Sequence, residues 1–326
     1  METWRQIQRG NFTRLEPLAE FLELEALART QLLAAPRFPL NLPKRLADKI
    51  EKNRLDDPIL RQFVPLVDET HSQPGFTADP VQDQTFRAAP KLLHKYHGRA
   101  LLLATSGCAM HCRYCFRQNF PYETTDRSFD AEIAYLASNP TLTEVILSGG
   151  DPLSLSDPAL ASLFTSLHAI PHLRRIRFHT RFPIGIPERI NTSFLSLLAT
   201  SPQQIYFIIH SNHPRELDPD VISALKKIQT LGIPVLNQSV LLKGVNDDEE
   251  TLLALCTALV DAGITPYYLH QLDPVAGAAH FDVSDEKATS LLRHVQENLS
   301  GFGVPRLVRE EPNRLSKSLI TSCRQS

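Results

Sequence analysis

Three cysteines spaced Cys108-x3-Cys112-x2-Cys115 lie between Thr105 and Arg117, and they make up three of the five cysteines in a chain of 326 residues. Thiolates at that spacing can converge on one soft metal centre if the backbone loops around it, which favours zinc or an iron–sulfur cluster. Three ligands leave one coordination position open, as a catalytic rather than a structural centre requires. A structural zinc with His111 as fourth ligand is the alternative. Such sites usually pair two Cys/His knuckles, and the sequence has no second one. An odd number of cysteines with three crowded together is not a disulfide framework, and free thiolates suit a reducing compartment. Cys256 falls in an apolar helical pattern and reads as buried; Cys323, near the end, reads as incidental.

Other chemically able residues recur at the ends of short β-rich runs. Six runs are read, at 100–105, 144–148, 176–180, 205–210, 235–240 and 267–272. Amphipathic stretches near 129–138, 157–168, 193–200, 219–230, 248–262 and 284–298 have apolar residues at helical spacing. Strands alternating with helices imply parallel pairing, and six βα units suggest a partial or open α/β barrel. Ligands in such folds sit beyond the carboxyl ends of the strands. The cysteine loop follows the first run, and Gly149, Gly150 and Asp151 follow the second. His179 and Arg181 end the third, His210 and His213 the fourth, Asn237, Gln238 and Ser239 the fifth, and Asp273 the sixth. Residues 1–95 read as helices broken by proline-rich turns, including a Leu/Ala/Glu-rich stretch over 17–35, and serve as an extension or cover.

A composition of 42% hydrophobic residues supplies a sizeable core. A net charge of -2 and a pI near 6.6 give no general attraction to phosphate backbones, so nucleic acid is not expected as a partner. No basic leader precedes an apolar stretch and no apolar run reaches membrane-spanning length, so the expected location is cytoplasmic, away from membrane. The sequence leaves oligomeric state open, a homo-oligomer included.

The cysteine loop, with Tyr114 just before its last thiol, resembles that of the radical S-adenosylmethionine (SAM) superfamily. The strings Ser148-Gly-Gly-Asp-Pro-Leu153, Arg177-Phe-His-Thr-Arg181, His210-Ser-Asn-His-Pro214 and Asn237-Gln-Ser-Val-Leu-Leu-Lys-Gly-Val-Asn-Asp247 narrow this, being similar to the lysine 2,3-aminomutase family. The likeness runs from about Leu93 to Lys317, with Asp57-Pro-Ile-Leu-Arg61 also fitting. It implies a partial (β/α)6 radical SAM barrel over 96–300, a mostly helical extension over 1–95 and a short C-terminal segment over 301–326 that binds pyridoxal phosphate (PLP).

The resemblance further implies a 4Fe-4S cluster on Cys108, Cys112 and Cys115, with SAM contacted by Tyr114, Ser148, Gly149, Gly150, Asp151, His210 and Gln238. Lys317 would hold PLP as an imine and act catalytically, with Lys95 and Arg99 meeting the phosphate. Arg117 would fork the carboxylate of a lysine substrate, and Asp273 and Glu310 would receive its ε-amine. Two departures from the family pattern are a Glu at 310, where the family has Asp, and the loss of a glycine run before Lys317. These resemble the branch that makes (R)-β-lysine for elongation factor P, which implies free L-lysine, a one-electron reductant, and a link to that factor and its lysyl-transferring enzyme. A radical SAM enzyme acting on another amino acid or a macromolecule is the near alternative, and a non-enzymatic metal-stabilised interaction module the distant one.

Overall fold

The long helices form where an apolar stripe follows a capping side chain. In the computed structural model, which describes residues 3–126 and 128–321, they are α6 (Asp130–Ser138), α7 (Asp157–His168), α9 (Thr192–Ala199), α10 (Pro219–Gln229), α11 (Glu249–Asp261) and α12 (Asp285–Asn298). Ser156, Asn191, Asp218, Asp248 and Ser284 each accept a first-turn backbone N–H at the head of the last five. Five shorter helices precede them: α1 (Trp4–Arg9), α2 (Leu15–Phe21), α3 (Ala26–Arg29), α4 (Lys44–Ala47) and α5 (Pro58–Phe63); α8 is the single turn Phe182–Gly185. Cys323 lies outside the described residues.

All strands belong to one ten-stranded sheet in chain order: β1 (Arg87–Ala89), β2 (Leu92–Tyr96), β3 (Arg99–Thr105), β4 (Glu144–Gly149), β5 (Arg175–Thr180), β6 (Gln204–Ile209), β7 (Val235–Val240), β8 (Thr265–His270), β9 (Arg306–Arg309) and β10 (Ser318–Leu319). Pairing is parallel from β3 to β9 and antiparallel at both margins. The expected six βα units are present, and the sheet stops short of closure, as a partial barrel does. Alternation sorts each strand: Ile176, Phe178 and Thr180 of β5 are buried, whereas Arg177 and His179 line the lumen.

Three details differ from the sequence reading. β9 is a seventh parallel strand, so residues 306–309 continue the sheet. The boundary near residue 95 falls inside β2, which pairs with β3. The stretch 17–35 is not one helix: α2 ends at Phe21, and Glu23 takes a left-handed φ of 54° before α3. The early helices pack on the barrel rather than apart from it. Leu18, Leu22, Leu42, Leu46, Leu60 and Phe63 share one core with Leu102, Leu147, Phe178 and Phe207.

Candidate active site

The cysteine loop leaves β3 and is gripped by the glycine turn that leaves β4. Gly150 N–H donates to Thr105 O and Asp151 N–H to Gly107 O, both at 2.7 Å. A Cβ on Gly149 would stand 2.6 Å from Thr105 O, and Gly149 holds φ at +114°; a Cβ on Gly150 would stand 2.4 Å from Gly107 O. Both positions therefore require glycine for backbone contact alone. Burial, then the charge of Asp151 and then the neighbouring thiols push Cys108 upward; Cys115 is pushed up to about 11 by burial and then Cys112. The thiols line a shared wall without meeting at a single-ion site among the described residues. A four-iron cube takes its thiolates at separate corners, so the donor set fits a cluster better than lone zinc.

Behind the loop runs a buried polar network. Arg181 donates from Nη1 to Cys112 Sγ at 3.3 Å, and from Nη2 to Gln62 Oε1 at 2.7 Å and Glu216 Oε2 at 2.9 Å. Gln62 Nε2 donates to Glu216 Oε1 at 2.9 Å, and Asn212 Nδ2 donates to Tyr114 Oη at 2.7 Å. Asp151 is spent in a second set, accepting from Thr180 Oγ1 and from the backbone N–H groups of Leu153, Arg181 and Phe182. Its burial raises the carboxyl to about 6 despite those bonds. With its oxygens occupied, Asp151 ties the β4 and β5 ends together and is not free for the SAM contact expected of it. Tyr114 likewise has its hydroxyl engaged within the protein.

These walls enclose a cavity of about 690 Å³ reaching from the cysteine loop to the β2 and β9 margins. Every residue that the resemblance assigns to the site lines it: Cys108, Cys112, Cys115, Tyr114, Arg117, Ser148, Gly149, Gly150, Asp151, His210, Gln238, Asp273, Glu310, Lys317, Lys95 and Arg99; His111, His213, Asn237 and Ser239 do not. Arg117 is held by Asp83, whose Oδ2 accepts from Nε at 2.8 Å, and it donates to Ser148 Oγ at 3.3 Å. Glu310 does not stand free for an amine. It accepts from Lys317 Nζ at 2.6 Å and also bonds Lys95 Nζ and Tyr96 Oη. Burial alone would raise its carboxyl, but attraction to Lys317 and the three hydrogen bonds draw it down to about 2. Arg99 stacks 4.4 Å over the Tyr96 ring. Among the described residues Asp273 makes no such pair, and burial lifts it to about 7 against the pull of Lys317.

Three lumen histidines, His179, His210 and His270, are held neutral chiefly by burial, with His210 driven down to about 3. The Nε2 atoms of His179 and His210 are buried without a partner, whereas His270 Nε2 meets Gln238 Oε1 at 3.3 Å. Unpaired buried nitrogens on a cavity wall, a turn with no Cβ, and Lys317, Lys95 and Arg99 lining the same cavity together fit SAM and PLP. Sequence reasoning missed Asp83, Gln62 and Glu216 as parts of this site, and it named Arg181 only as a strand-end residue and Asn212 only within the string His210–Pro214. Asp83 and Gln62 sat in the stretch read as an extension or cover, and Glu216 is an ordinary polar type with no local signal.

The radical SAM superfamily pattern matches residues 102–256. The chain is 47% identical over 284 residues to the L-lysine 2,3-aminomutase of Escherichia coli, covering 86% of this chain and 83% of that one. It is 42% identical over 320 residues to that of Haemophilus influenzae, covering 96% and 95%, and 31% identical over 324 residues to that of Clostridium subterminale, covering 97% and 77%. In fold it is similar to Streptococcus suis SuiB bound to S-adenosylmethionine, with a TM-score of 0.50 at 15% identity over 67% of this chain and 51% of that one.

Proposed function

The chain belongs to the lysine 2,3-aminomutase family of the radical SAM superfamily and is an isomerase; on that premise we propose that it converts L-α-lysine to (R)-β-lysine with SAM, a 4Fe-4S cluster and PLP. One observation carries the reading. Lys317 and the cysteine loop, far apart in the chain, line the same cavity together with Arg117 and Asp273. Cys108, Cys112 and Cys115 would hold the cluster; Ser148, Gly149, Gly150, His210, Gln238 and the Tyr114 ring would border SAM. Lys317, Lys95 and Arg99 would hold PLP. When bound, these groups supply an abstracting carbon radical and a conjugated ring that spreads an unpaired electron.

The protein's own residues then orient and seal. Asp83 and Ser148 fix the Arg117 guanidinium before a carboxylate arrives, so little rotamer freedom remains to be lost. Glu310 Oε2 accepts from the Lys317 ammonium at 2.6 Å, and an ammonium proton must pass to solvent before that nitrogen could bond an aldehyde carbon. Freed from Lys317, Glu310 is a carboxylate ready for the distant ammonium of lysine, beside Asp273. The apolar part of the lining, with Leu93, Leu101, Ile146 and Val240, would exclude water beside a reactive centre. The Glu at 310 and the altered approach to Lys317 support the elongation factor P branch, with β-lysine passed to its lysyl-transferring enzyme. The test is anaerobic incubation of reconstituted protein with SAM, PLP, reductant and L-lysine, followed by chiral chromatography. (R)-β-lysine is expected; turnover of another amino acid with lysine untouched would replace the reading.

Asp273 gives a pH signature. Its ionised form is the one that binds an ammonium, and burial places the transition at about 7. The KM for lysine should therefore fall as pH rises through that value, by up to about tenfold per unit on the acid side. Steady-state kinetics across this range checks it, and Asp273→Asn should flatten the profile while raising KM throughout.

A further inference from the structure

The lumen side of β5 carries Arg177 and His179, and only the first has a protein partner there, donating to Glu144 Oε1 at 2.6 Å. His179 lies one residue beyond the Leu147–Phe178 pair of β4 and β5, level with Ser148, whose Oγ accepts from Arg117. The His210 ring stands at 5.8 Å in an edge-on arrangement. His179 Nε2 is buried with no partner. After burial itself, Arg177, then His210, Lys317 and Arg117 oppose its protonation, so a neutral imidazole sits beside a second imidazole and near three cations. Unpaired buried nitrogens are rare because they are costly. Here the natural complement is an anionic oxygen, to which a neutral imidazole can donate from Nε2.

Four anionic groups are expected in the cavity on the proposed function, and three have a counterpart: the PLP phosphate at Lys95 and Arg99, the lysine carboxylate at Arg117, and the SAM carboxylate at the position the three thiolates would leave open on the cluster. We propose that His179 Nε2–H donates to the fourth, the phenolic oxygen of the PLP that Lys317 holds. This rests on the Lys317 reading. The phenolic oxygen is ortho to the carbon that bonds the lysine nitrogen, which agrees with Lys317 being among the charges felt by His179. His179 would thus be a cofactor-contact residue, and His270, already engaged with Gln238, would not.

The test is a PLP titration followed by visible absorbance, without SAM or lysine, on the full chain as wild type, His179→Phe and His179→Gln. The amide nitrogen of Gln reaches about where Nε2 sits. His179→Phe is expected to weaken PLP roughly tenfold, the equivalent of one charge-assisted hydrogen bond, and to move the band to shorter wavelength. His179→Gln should stay within about threefold of wild type on the same scale. Should His179→Phe lose its native circular dichroism, His179→Asn, too short to reach, carries the same expectation. An unshifted band with unchanged PLP affinity in the Phe or Asn variant overturns the proposal, including where only SAM affinity or the KM for lysine changes. If wild type gives no visible band, or the band survives Lys317→Ala, the Lys317 reading fails first and the proposal with it.

Discussion

Lys317→Ala is expected to leave a folded protein that forms no covalent PLP band and has lost aminomutase turnover by on the order of a thousandfold or more. The fold should survive because Lys317 is a minor support. Its side chain is 27% exposed, and Glu310 keeps Lys95 and Tyr96 when it is removed. The chemistry should not survive, because PLP needs a nitrogen to capture its aldehyde. Lys95, the other lysine lining the cavity, is drawn against Glu310 and the Phe86 and Tyr96 rings at the β2 margin. Absorbance after PLP addition and borohydride trapping, with peptide mapping of the reduced adduct, reads the outcome. A trapped adduct on Lys95, or an undiminished band, would remove Lys317 from its proposed role. Glu310→Gln makes the reciprocal case: it frees Lys317 from its ion pair, so PLP capture should persist while the KM for lysine rises.

The second large effect is on stability. Arg181→Met should cost about 3–5 kcal/mol, because it strands the carboxylate of Glu216, a residue with no exposed surface. Gln62 Nε2 and the Asn212 backbone N–H would remain to solvate it, at 2.9 and 3.3 Å. Methionine fills much of the volume but offers neither charge nor donor. The same change removes the 3.3 Å donor to Cys112 Sγ, so iron incorporation should drop together with the denaturation midpoint. Urea unfolding of cluster-free protein separates the two effects. Adding Glu216→Gln to Arg181→Met should recover much of the stability and none of the thiol contact. A midpoint unmoved by Arg181→Met would mean that the network carries little of the fold.

The period of apolar residues revealed what has a strong period. The six barrel strands and six long helices lie within about two residues of their expected bounds because each is long enough to show alternation or a stripe. β9 escaped because Arg-Leu-Val-Arg offers only Leu307 and Val308 as buried residues, too short a run to alternate. β2 was obscured by His94, Lys95 and Tyr96, whose polarity suits a connection as well as a lumen-facing strand end. The residues that motif likeness singled out line one cavity, but their internal partners could not be read from the motifs. Nothing near Asp151 announces that Thr180 and two backbone amides of the next turn would saturate it, and nothing near Glu310 announces Tyr96. Such facts arise only when strands from distant parts of the chain are placed side by side.

The link from Lys95 and Tyr96 to Glu310 also sets a timetable. It joins residues more than two hundred positions apart across the open side of the sheet. At ribosomal speeds the first two wait roughly 10–40 s for the third to be made. By the end of that interval the nascent chain has its thiol loop and most of its parallel strands but no opposite bank for the β2 margin. Closure must follow translation of β9, and until then the cysteine loop has only its earlier partners, among them Gln8 and Asn41, which donate to Cys108 O.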